Sequence, residues 1–134
     1  MNPLIKKKLS ILIHLADIDG EFAKVEKSYI EEVAEKNGVT KLELADLINS
    51  PDPIGGLGAL SYQKAIEYMC DSLSLMAVDH KIQPSEVLLC EDIGLRLGFK
   101  KHGIDKIIDH IKENPTISYK KLESELRTLP HTGK

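Results

Sequence analysis

The sequence predicts an all-α protein, a single helical bundle of about seven helices built from two pseudo-symmetric three-helix repeats. Three observations carry that reading. Apolar residues recur at three- and four-residue spacings, and no segment alternates with period two. Prolines, glycines and capping residues stand where helices of ordinary length start and stop. The chain also echoes itself, because a shift of 60 residues brings its two halves into register without a gap. With 134 residues and 42 % apolar content, one domain with a sizeable core is expected over residues 1–134.

The first helix is predicted from Pro3 to about Ala16, with Asn2 as N-cap and Ile5, Leu9, Leu12, Ile13 and Ala16 along one stripe. A second runs from about Lys24 to Asn37 and stops at Gly38. A third follows Thr40, where Thr40 and Glu43 have capping-box spacing, and closes the first repeat at about residues 3–50. The Pro/Gly-rich stretch 51–60 is a connector; its glycines lack the Lys-Ser/Thr that a phosphate loop needs. The second repeat, about 61–114, holds helices over Tyr62–Val78, Pro84–Leu97 and roughly Ile104–Glu113. A short helix from about Tyr119 to Leu126 falls in a C-terminal segment 118–128, and the tail "PHTGK" reads as frayed.

In the repeat, "LADIDGEFAKVEKSYIEEVAEKNGV" falls on "LMAVDHKIQPSEVLLCEDIGLRLGF". Leu15 meets Leu75, Asp19 meets Asp79, Glu26 meets Glu86 and Gly38 meets Gly98, and the apolar positions follow. Cys90 meets Ile30, so core packing explains it better than thiol chemistry, with one Cys70–Cys90 disulfide as the alternative.

Composition narrows the function classes. A net charge of −3, no Trp and 4 % aromatics leave no basic face or stacking platform for nucleic acid. No apolar run approaches the roughly 20 residues of a membrane span. The lysines before the first apolar run do not make a signal peptide, since His14 and Asp17 interrupt it, and a cytoplasmic protein is expected. Lys6, Lys7 and Lys8 read as a solvated face. No HExxH, Glu-x-x-His pair or nucleophile elbow is present, so an enzyme has little support.

The segment "HLADIDGEFAKVE" invites a calcium-loop reading. With Gly20 as the sixth position, Asp17, Asp19 and Glu26 occupy the third, fifth and twelfth, but Leu15 stands where the leading aspartate belongs. Glu26 and Glu86 have a sufficient role as carboxylates in the first turns of their helices. Asp17, Asp19 and Asp79 sit at helix C-termini, where a negative charge opposes the dipole by roughly 0.3 to 1 kcal/mol each. Asx-turn bonding, a cation or a basic partner would each offset that. His14, one turn before Asp17, is either a member of that site or a structural histidine.

These residues resemble the tellurite-resistance protein B-like (TerB-like) domains over most of the chain, from about Leu4 to Leu126. The shared pattern is an apolar helix, an Asp-Gly-Glu turn, an apolar position, a glutamate in the next helix and a glycine stop. The resemblance implies a bundle of about seven helices and a non-enzymatic role tied to metal or chemical stress. The residues matching its acidic pattern are Asp17, Asp19, Glu21 and Glu26, with Asp79 and Glu86 from the second half. His80 and Lys81 depart from it, which argues against two equivalent sites. The expectation is therefore a binding module with a weak divalent-cation site on those six residues and other proteins as partners. The alternative is a pure protein–protein interaction domain whose acids only cap helices and attract a basic partner. An enzyme using the same carboxylates is the third reading.

Overall fold

The computed structural model describes residues 1–20, 22–78 and 80–133, and these form seven α-helices and no β-strand. They are α1 (Pro3–Asp17), α2 (Lys24–Lys36), α3 (Lys41–Asn49), α4 (Tyr62–Val78), α5 (Pro84–Arg96), α6 (Lys101–Glu113) and α7 (Tyr119–Arg127). Local chemistry accounts for most of the boundaries. The Asn2 side chain accepts from Leu4 N at 2.8 Å, and Pro3 opens α1. Thr40 and Glu43 form the expected capping box, with bonds of 3.2 and 2.9 Å. Ser61 and Ser118 accept from Lys64 N and Lys121 N, each at 3.1 Å. Gly38 and Gly98 stop α2 and α5 at φ 73 and φ 100, in the left-handed region.

One boundary differs from expectation. Helix α6 starts at Lys101, not at Ile104, and its N-cap Lys100 makes no side-chain cap bond. Gly103, a residue that discourages a helical reading, is buried inside the first turn of α6. A Cβ there would lie 2.9 Å from Leu129 Cδ2, so glycine is what lets Leu129 close over the helix.

Two apolar clusters make the core. One joins Leu9, Leu12, Ile13 and Leu15 of α1 to Ile30, Val33, Leu44 and Leu47, and takes in Leu75 from α4. The other joins α4, α5, α6 and α7 through residues such as Met69, Leu73, Ile93, Ile104, Ile108 and Leu122, and takes in Ile11 from α1. Helices α1 and α4 touch each other, and α2 and α5 each pack on both. Both central helices are buried nearly all round over their middle turns, as a helix in that position must be. Cys70 and Cys90 are buried free thiols, so the disulfide alternative is not realised.

The connector is strapped down. His14 Nε2 donates to the Asp52 carbonyl at 2.7 Å, and Asp52 N donates to Ser10 Oγ at 3.1 Å. Arg96 donates to the carbonyls of Ile54 and Gly55, each at 3.1 Å, and Leu57 is buried. The C-terminal tail is held as well, contrary to the frayed reading. His131 lies edge-on to Phe99 and Tyr62, with Nε2 2.6 Å from the Leu97 carbonyl. Thr132 N donates to Gly98 O at 3.2 Å. Among the described residues no helix is long and apolar enough to cross a membrane.

Candidate functional site

The turn between α1 and α2 is closed by backbone geometry. Gly20 N donates to Asp17 O at 3.0 Å, with Gly20 at φ 82. Asp17, the last residue of α1, and Asp19, in the turn that follows, are both exposed. Glu26 is the third residue of α2 and is only 3 % exposed, held at the start of the helix. The turn after α4 is built alike, but His80 occupies the left-handed position at φ 59. Glu86 is the third residue of α5, again 3 % exposed, and its Oε1 accepts from Gln83 N at 3.1 Å. That bond is the reach back to the helix start expected of such a carboxylate. Glu21 and Asp79 lie outside the described residues.

The structure thus leaves Asp17 and Asp19 exposed together at the end of α1 and buries Glu26 and Glu86 in two different helices, α2 and α5. Among the described residues, no group of three or more His, Cys, Asp or Glu side chains stands close enough to hold a metal ion. His14 turns to the connector and not to Asp17. The two exposed aspartates present hard oxygen donors, which suit Ca²⁺ or Mg²⁺ with waters completing the shell better than a soft metal.

Sequence reasoning missed a buried polar cluster at the centre. Lys8 is not solvated: its Nζ lies 2.9 Å from Asp71 Oδ2, with both side chains nearly enclosed. The Tyr29 hydroxyl donates to Asp71 Oδ1 at 3.1 Å, so one carboxylate ties α1, α2 and α4 together. Burial, then the Asp71 charge, pushes the Tyr29 phenol well up. Burial and the same charge push the Cys70 thiol up to about 12, and burial pushes Cys90 up too. Both shifts favour the thiol over the nucleophilic thiolate. The available signal was Asp71 itself, an acid between Cys70 and Ser72 on a strongly apolar helix, which needs a partner.

Beside this cluster is a cavity of about 360 Å³ whose walls include Tyr29, Ser74, His80 and Tyr119. A second polar group links α5 to α6. Lys101 Nζ lies 3.4 Å from Glu91 and 3.0 Å from Asp105. The hydrogen bond that Glu91 donates to Asp105, then burial, raises Glu91, while the same bond lowers Asp105. His110 of α6, its side chain still 44 % exposed, pairs with Glu125 of α7. A groove of about 670 Å³ lies between α2 and α3, with an apolar floor and a charged rim. No protein-family model, curated protein or solved structure matches the chain.

Proposed function

We propose that this chain is a non-enzymatic binding module of the TerB-like kind, made of two copies of a three-helix unit, acting in the cytoplasm. Its first acidic turn takes a divalent cation weakly, with Asp17 and Asp19 as principal ligands and Glu21 and Glu26 as the further candidates from the sequence. Asp79 and Glu86 form the poorer counterpart, where His80 replaces the turn glycine. The observation that supports this most is the exposure of Asp17 and Asp19 together at the C-terminal end of α1. Each carboxylate opposes the helix dipole there by roughly 0.3 to 1 kcal/mol, which a bound cation reverses. Isothermal titration with Ca²⁺, Mg²⁺, Mn²⁺ and Zn²⁺ tests it: heat at millimolar metal that vanishes in Asp17→Asn with Asp19→Asn supports the reading.

A second reading is a pure protein–protein interaction domain. The α2–α3 groove favours it, and so does the Glu86 carboxylate already engaged at its helix start. In that case the exposed aspartates attract a basic partner. Partner capture that is lost at moderate salt, with no metal heat, distinguishes the two.

A further inference from the structure

The helix pairs α2–α3 and α5–α6 are joined by turns of the same kind, yet one is closed and the other open. In α5–α6, Gly94 has no side chain, and a Cβ there would meet Ile104 Cγ1 at 2.8 Å. The helices therefore approach closely, and Lys101 clasps Glu91 and Asp105 across the seam. In α2–α3 the residue 60 positions earlier is Ala34, which lines the gap between the helices, and Ala45 stands at the position of Asp105. The result is the groove of about 670 Å³, floored by Val39, Leu44 and Ile48.

Two features say what fits it. First, Leu42 on α3 is 80 % exposed, more than any other large apolar side chain described. It lies three residues before the groove residue Ala45 and so shares its face. A projecting side chain next to a hole on the same face is self-complementary, which is what a two-fold contact requires.

Second, the charges of α2 are segregated along its length. Lys24 and Lys27 are exposed in the first half, and Glu31, Glu32 and Glu35 in the second. Glu26 and Lys36 aside, this order runs against the helix dipole, so it weakens the helix on its own. Two copies of α2 laid antiparallel set each basic half against the other's acidic half. A uniformly acidic or basic partner would meet repulsion from one half of α2's exposed surface.

We propose that the α2–α3 face is a self-association surface, on which Leu42 of each of two copies enters the groove of the other across a two-fold axis. Sedimentation velocity over concentrations up to about 1 mM tests this with the full chain. The wild type shifts from monomer to dimer, and Leu42→Glu weakens association by at least about tenfold. Two charge variants give the sharper test, one carrying Lys24→Glu with Lys27→Glu and the other Glu31→Lys with Glu35→Lys. Both changes agree with the helix dipole, so folding is retained, and circular dichroism checks it. Each variant alone stays monomeric, and an equal mixture forms a heterodimer. A wild type monomeric at every concentration, a dimer indifferent to Leu42→Glu, or folded charge variants that do not recombine on mixing would overturn the proposal.

Discussion

Lys8 and Asp71 come from opposite halves of the chain and meet in a buried ion pair of 2.9 Å, with the Tyr29 hydroxyl on the other carboxylate oxygen. Removing either partner leaves a charge enclosed without its counter-ion, which typically destabilises by about 3–5 kcal/mol. Lys8→Met and Asp71→Leu are each expected to lower stability by that order in urea unfolding. The triple variant Lys8→Met, Asp71→Leu, Tyr29→Phe recovers most of the loss, because no buried polar group is then stranded. Losses that simply add in the triple variant would mean the three side chains do not act together.

The two helix-stop glycines give unequal costs. Both hold positive φ, but a Cβ at Gly38 meets nothing within 4 Å, whereas one at Gly98 meets Thr132 Oγ1 at 2.5 Å and His131 Nε2 at 2.7 Å. Gly38→Ala should cost roughly 1–2 kcal/mol, the strain of a left-handed L-residue. Gly98→Ala adds the expulsion of the tail and should cost about 1–3 kcal/mol more. Thermal unfolding of the two variants decides it, and equal costs would show the tail is not seated.

The Glu91–Asp105 pair predicts a pH dependence with a definite sign. Glu91 is raised from 4.5 by its hydrogen bond with Asp105 first and by burial second, so the folded state holds that proton more tightly than the unfolded chain. Its contribution is complete below about pH 4.5 and is lost as pH rises through the higher folded value. Asp105 is lowered from 3.8, so its contribution is lost only as pH falls below that range. The two windows do not cancel. Glu91→Gln should flatten the decline of stability with pH above about 4.5 and leave the acid limb below 3.8 in place. An unchanged profile above 4.5 would contradict the raised Glu91 carboxyl.

The parts of the fold that were legible are those written in neighbouring residues. Asn2-Pro3, Thr40 with Glu43, Pro84, Gly38 and Gly98 each act within one turn of chain, so a spacing argument finds them. What was not legible depends on partners far away in sequence. Lys8 follows two lysines and reads as solvated until Asp71 is placed beside it. The tail reads as frayed until Leu97, Phe99 and Tyr62 form a seat for His131. At the candidate site, the helix-start role of Glu86 was legible because it acts on Gln83, three residues away. The direction of His14 was not, because Asp52 holds it from the connector.

The proposed weak cation site on the first acidic turn is open to direct test. The most direct measurement is a titration of the full chain followed by backbone amide NMR, with Ca²⁺ or Mg²⁺ added to millimolar concentration. A cation held there gives saturable shifts centred on the residues around Asp17, Asp19 and Gly20, absent in Asp17→Asn with Asp19→Asn. Shifts scattered over the whole surface, or none at that turn, would contradict it.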